Sequence, residues 1–176
     1  WTGGERGFAA VPGLEARFRK DFDRCLRFAE VLKPEVIHIM AGITDAPGAR
    51  ATFVENLTWA AARAPGRRLT IEPLNPHDMP GYWLADFALA AEILDQVAAP
   101  NLALQFDAYH AHRITGDVMG TWARHGSRAA HVQIAGFPGR HEPSGGEIDY
   151  PAFLARLDAD GYRGWVSAEY HPKGTT

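Results

Sequence analysis

Five short apolar runs recur along the chain: Val36–Ala41, Leu69–Leu74, Leu102–Asp107, Ala129–Ala135 and Trp165–Tyr170. They begin 33, 33, 27 and 36 residues apart, and each is six or seven residues long with β-branched or aromatic members. That length and composition predict strands. The stretches between them predict helices. In Leu14–Leu32 the residues Leu14, Phe18, Phe22, Cys25, Leu26, Ala29 and Leu32 recur at helical spacing, and the pattern stops before Pro34. Further helices are predicted over Ala51–Ala64, Asp86–Ala98, Asp117–His125 and Pro151–Asp160, with Asp86 placed to cap the third and Gly161 to close the last. Strand and helix alternating at about 30 residues per unit predict an α/β chain of parallel βαβ units. Two architectures satisfy this: an open doubly wound sheet, or part of a (β/α)₈ barrel. No Gly-x-Gly-x-x-Gly or Walker-type loop follows any run, which counts against dinucleotide and P-loop binding.

Alternate residues of a strand face opposite sides. One face of each run is apolar: Ile37 and Ile39; Leu69, Ile71 and Pro73; Leu102, Leu104 and Phe106; Ala130, Val132 and Ile134; Val166, Ala168 and Tyr170. The other face carries polar groups: His38, Thr70, Glu72, Gln105, Asp107, His131, Gln133, Ser167 and Glu169. Glu72, Asp107, Gln133 and Glu169 stand toward the C-terminal ends of four runs. One strand-end carboxylate alone reads as a helix cap. Four oxygen-bearing side chains on one face read as a barrel interior converging on a site at its C-terminal mouth. A buried carboxylate is costly unless paired or metal-bound, and three carboxylates with one carboxamide form a hard oxygen set suited to Mg²⁺ or Mn²⁺.

The chain has 176 residues, 46% hydrophobic and 22% charged, the balance of one globular domain. Its net charge of −3 counts against nucleic-acid binding. Cys25 is its only cysteine, so no intrachain disulfide or cysteine-rich zinc site forms. The sequence shows no signal peptide and no apolar run near the ~20 residues that span a membrane. A soluble protein of the reducing cytoplasm, without membrane partners, is the expectation. The chain begins at Trp1 in a Gly-rich stretch, so it reads as part of a longer protein.

Several motifs are long enough to compare with a known family. Ile71-Glu72-Pro73-Leu74-Asn75, Gln105-Phe106-Asp107-Ala108-Tyr109-His110 and His131-Val132-Gln133-Ile134-Ala135-Gly136 resemble hydroxypyruvate isomerases of the xylose-isomerase-like (β/α)₈ barrels. So do Arg140-His141-Glu142-Pro143, Gly146-Glu147-Ile148-Asp149-Tyr150-Pro151, Gly161-Tyr162-Arg163-Gly164-Trp165, His38-Ile39-Met40-Ala41-Gly42 and Ala168-Glu169-Tyr170-His171-Pro172. The resemblance implies that Glu72, Asp107, Gln133 and Glu169 hold a divalent metal, Mg²⁺ or Mn²⁺. It implies that Glu72 and Glu169 are also the acid/base pair, and that His110, Arg140 and His38 contact substrate. The implied reaction interconverts hydroxypyruvate and 2-hydroxy-3-oxopropanoate (tartronate semialdehyde) through a cis-enediolate, on a small hydroxy- or keto-acid substrate.

Barrels of this kind run to about 250 residues. The five units here therefore predict a single, N-terminally incomplete barrel domain over residues 1–176. Its first and last strands should be free edges that favour self-association into oligomers, and its polar inner face should be open to water. Other readings stay open. A 2-oxo-tetronate isomerase or ketose 3-epimerase uses the same carboxylates. An endonuclease IV-like phosphodiesterase needs a histidine-rich zinc cluster, and of eight histidines only His38 and His131 face inward from strands. An inactive truncated barrel is the last.

Overall fold

The computed structural model describes residues 5–174. Five strands form one all-parallel sheet in chain order: β1 (Val36–His38), β2 (Arg68–Ile71), β3 (Leu102–Asp107), β4 (Ala129–Ile134) and β5 (Val166–Ala168). Helix α1 (Glu15–Leu32) precedes β1. Helices α2 (Ala49–Arg63) and α3 (Phe87–Val97) make the next two crossovers. Helices α4 (Ala108–Thr115) and α5 (Val118–His125) lie between β3 and β4, and α6 (Tyr150–Ala159) between β4 and β5. This is the expected run of βα units, and the sequential strand order selects the barrel architecture over the doubly wound sheet, whose order reverses.

The boundaries follow local chemistry. Asp86 caps α3, its side chain accepting from the Leu89 amide at 2.7 Å, as its place before the periodic run predicts. Asp117 and Asp149 cap α5 and α6 in the same way. Helix α1 ends at Lys33, left-handed at φ 50°, immediately before Pro34. Two readings are corrected. Strands β1, β2 and β5 are shorter than the apolar runs containing them, so Glu72 and Glu169 lie just beyond the strand ends. And α4, unpredicted, begins directly after Asp107, because the residue that ends β3 is also the N-cap of that helix.

Outward strand side chains meet the helices in one core. Phe106 of β3 sits at its centre, edge-to-face with Trp122 at 5.2 Å and stacked near Phe153 at 5.9 Å between ring centroids. Leu69, Ile71, Leu104 and Val132 are buried beside it. Between Leu104 and Gln105 the β3–β4 register shifts: Leu104 pairs with Ala129, but Gln105 pairs with His131. The shift brings Gln105 and Asp107 level with the inward residues His131 and Gln133 rather than with Ala130 and Val132.

Strands β1 and β5 are the two ends of the sheet. Between these two edges the exposed Trp165 indole donates to the Glu35 carboxylate at 2.5 Å, so the sheet curls far enough for its two edges to touch at their N-terminal ends. Among the described residues no helix is long and apolar enough to cross a membrane.

Candidate active site

The inward polar face is a connected ladder. Thr70 donates to Gln105 Oε1 at 3.3 Å, and Gln105 Nε2 reaches Glu72 Oε2 at 2.9 Å and Gln133 Oε1 at 2.7 Å. Gln133 Nε2 continues to Glu169 Oε2 at 2.9 Å. Glu72, Gln133 and Glu169 thus belong to one network, and Asp107 joins it through Arg140, which donates to both Asp107 and Glu169. Two of them, Glu72 and Asp107, come together with His110 so that one ligating atom from each lies within 4.8 Å of the others. Gln133 and Glu169 attach at the rim. Lower on the same face, His131 Nε2 and Ser167 Oγ are 2.8 Å apart, and His131, His38, Gln105 and Trp165 line a cavity of about 350 Å³.

The expected opening of this face to water is only partly right. Glu169 is 58% exposed, but Glu72 and Asp107 are 4% and 1% exposed. The segment after β2, helix α4 and the loop after β4 fold over them. That loop carries Arg140, whose guanidinium donates to Asp107 Oδ2 at 3.1 Å and Glu169 Oε2 at 2.9 Å and lies 5.1 Å from the Tyr109 ring centre. Arg140 itself is left-handed at φ 55°, a conformation costly for a side chain with a Cβ. The loop is pinned on both sides: Gly136 N donates to His141 O at 2.8 Å, and His171 N, just past β5, donates to Arg140 O at 2.7 Å. At Gly136 an added Cβ would collide with the Glu142 carbonyl, so only glycine lets the loop close there.

Asp107 divides its oxygens. Oδ1 accepts from the Tyr109 amide at 2.8 Å and the His110 amide at 3.4 Å, capping α4, while Oδ2 faces Arg140. Burial first, then the charges of Asp107 and Glu169, push the Glu72 carboxyl well above the usual carboxylate range. Burial also raises Asp107, against the pull of Arg140. His38, 3.6 Å from Glu72, is pushed down to about 4 by burial and by the nearby His131. Burial and the Arg140 charge push His110 down to about 3, so both imidazoles are neutral near pH 7. Glu72 Oε1 and His38 Nε2 are buried without a hydrogen-bond partner, a cost normally relieved by a ligand.

The arrangement is two buried carboxyls with a free oxygen, a third carboxylate at the rim, one arginine and two neutral imidazoles. It can hold a cation and a small anion side by side and can move a proton between them. The reading of strand faces missed Asn75, Asp78 and Tyr109, which surround His110. Asn75 stood within a recognisable motif, but its partner lies 35 residues away. A larger cavity of about 1160 Å³ lies at the opposite, N-terminal ends of the strands, lined by Arg67, Arg68, Asn101 and Arg163. None of the buried carboxyls reaches it, so the chemistry belongs to the other end.

The family model described as xylose isomerase-like TIM barrel matches residues 2–176. The chain belongs to that family. Its relatives include a 2-oxo-tetronate isomerase from Cupriavidus necator, 44% identical over 100% of this chain and 70% of the relative. They also include the hydroxypyruvate isomerase of Escherichia coli, 37% identical with the same coverage. A solved structure described as an AP endonuclease, family 2, from Brucella melitensis superposes with a TM-score of 0.95 at 41% identity, over 100% of this chain and 70% of that one. The two curated relatives are isomerases, and this chain carries the barrel strands of their family. The phosphodiesterase alternative asks for a histidine-rich metal cluster, and the one candidate cluster among the described residues holds a single histidine, His110.

Proposed function

We propose that this barrel interconverts hydroxypyruvate and 2-hydroxy-3-oxopropanoate by proton transfer between C2 and C3. The observation that carries the reading is the buried Glu72–Asp107 pair at the strand ends, with Glu169 and Arg140 closing over it and one Glu72 oxygen unpartnered. Hard oxygen donors and an unsatisfied buried carboxyl oxygen fit a divalent cation, Mg²⁺ or Mn²⁺. Glu72, Asp107, Gln133 and Glu169 would hold it. When bound, such an ion supplies Lewis-acid stabilisation for negative charge on adjacent substrate oxygens.

The chain's own groups do the rest. Arg140 offers a planar fork to the substrate carboxylate, which takes the place of its present partners Asp107 and Glu169. A carboxylate, Glu72 or Glu169, removes the C3 proton of hydroxypyruvate to leave an enediolate. The same or the opposite carboxyl returns a proton to C2, and a second proton passes from the C3 oxygen to the C2 oxygen. His110 holds a substrate oxygen, and His38 supports the pocket floor beside Glu72.

A second reading, 2-oxo-tetronate as substrate, is favoured by the identity to the Cupriavidus necator protein. Both acids also fit the Arg140 fork. Assay of hydroxypyruvate and 2-oxo-tetronate side by side with Mn²⁺, followed by proton NMR, separates them. Faster turnover of hydroxypyruvate is expected, and the reverse order would move the assignment to the four-carbon acid. Arg140→Ala is expected to raise KM for either acid by about 10–100-fold, the worth of a charge-assisted pair. An unchanged KM would remove Arg140 from substrate binding.

A further inference from the structure

Asn75 follows Glu72 by three residues and is fully buried. Its side-chain oxygen accepts from two backbone amides, His77 N at 3.1 Å and Asp78 N at 2.9 Å. That fixes which end of the carboxamide is oxygen. The other end, Nδ2, donates to Asp78 Oδ2 at 3.0 Å and lies 2.8 Å from His110 Nδ1. The backbone N–H of Asn75 points at the same ring nitrogen, 3.1 Å away. Turning the amide over would set an NH₂ against two N–H donors and an oxygen against the Asp78 carboxylate. Asp78 is held in turn by the Tyr109 hydroxyl at 2.9 Å and by Arg113 at 3.4 Å.

Two N–H groups therefore converge on His110 Nδ1. A donor has nothing to give to another donor, so Nδ1 must present its lone pair, and the ring proton must sit on Nε2. Nε2 is the atom on the site side, 3.7 Å from Asp107 Oδ2. We propose that Asn75 is a positioning residue: its backbone and side-chain N–H groups lock His110 as the Nε2–H tautomer, so that the imidazole offers the site a hydrogen-bond donor and not a lone pair.

Two consequences follow. A metal ligand must offer a lone pair, so the locked tautomer removes His110 from the ligand set even though it lies against Glu72 and Asp107. Resting on the isomerase reading above, the same Nε2–H is aimed to donate to a substrate oxygen. A neutral imidazole can stabilise charge on an enediolate oxygen without giving up its proton to it.

The test reads the ring directly. In the metal-free chain labelled with ¹⁵N-histidine, long-range proton–nitrogen correlation spectra report which ring nitrogen is protonated, and loss of a signal set in His110→Gln assigns His110. The expected spectrum is a single tautomer, Nε2 protonated and Nδ1 bare. In Asn75→Asp a carboxylate replaces the side-chain donor beside Nδ1, and the Nδ1 resonance is expected to move toward the protonated position. In Asn75→Ala only the backbone N–H remains, and a second tautomer is expected to become visible. This milder variant decides the matter if Asn75→Asp does not fold. A wild-type ring protonated at Nδ1 or averaged between tautomers would overturn the proposal. So would a folded Asn75→Ala with the wild-type ring spectrum. Because no turnover is measured, a missing isomerase activity would leave this result standing, and an Nδ1–H ring would leave the isomerase reading standing.

Discussion

Replacing Glu72 by Gln is expected to raise the melting temperature of the metal-free chain at pH 8 by roughly 4–8 °C and to weaken its stabilisation by Mn²⁺. The buried carboxyl keeps one oxygen without a partner and faces the charges of Asp107 and Glu169. Its folded pKa lies above the unfolded value of about 4.3. The proton-bound form is therefore the one the fold prefers, and the stability it confers is complete below that value and lost as pH rises through the raised folded pKa. A glutamine has no charge to bury and cannot lose this stability. An uncompensated buried polar or charged group costs about 1–3 kcal/mol, and each kcal/mol moves the melting point of a chain this size by about 2–4 °C. His38 and His110 act in the opposite sense. Their lowered pKa values of about 4 and 3 mean that their stability is present above about 6.5 and lost as pH falls below it. Melting curves at pH 8 and pH 5 with and without Mn²⁺ check this. The benefit of Glu72→Gln should shrink toward acid, and a variant that melts lower at pH 8, or that Mn²⁺ still stabilises fully, would contradict it.

The second large effect concerns turnover. Glu169→Gln is expected to slow isomerisation of hydroxypyruvate by about 10³-fold, within the usual range for losing a general acid or base, while Mn²⁺ affinity falls by roughly tenfold or less. The amide oxygen can still ligate and can still accept from Gln133 and Arg140, the two present partners of Glu169 Oε2. It cannot take a proton from carbon. Exchange of the substrate C–H with deuterated solvent, followed by proton NMR, isolates that step. Turnover at the wild-type rate would leave proton transfer to Glu72 alone.

The features legible in the sequence are those fixed by local pattern. Alternation of polar and apolar residues marked the strand faces and placed Glu72, Asp107, Gln133 and Glu169 on one side, where a hydrogen-bonded ladder joins Glu72, Gln133 and Glu169 and Arg140 ties in Asp107. The Asp86 cap was readable for the same reason. What stayed hidden depends on residues far apart in the chain. The register shift at Leu104 and Gln105, which aligns the polar residues of β3 with those of β4, leaves no trace in either run alone. Helix α4 was missed because Asp107 satisfies a strand pattern behind it and a helix terminus ahead of it. The burial of Glu72 and Asp107 follows from segments that fold over the strand ends, and no strand pattern contains them. The lock on His110 needs Asn75 and Asp78 brought against a helix more than 30 residues further on.

Asp107, with one oxygen on the α4 amides and the other on the site, makes the first turn of that helix a mechanical extension of whatever the site holds. A helix terminus is among the first places to open in a folded protein, and its opening exposes amides to exchange with solvent. Here opening requires the Asp107 carboxylate to release the amides of Tyr109 and His110. Any ligand that immobilises Oδ2 therefore slows the local unfolding that frees those two amides. Occupancy of the site is written into the exchange rate of a helix that also carries one side of its wall, so the amides of Tyr109 and His110 are held most firmly when Asp107 Oδ2 is itself held.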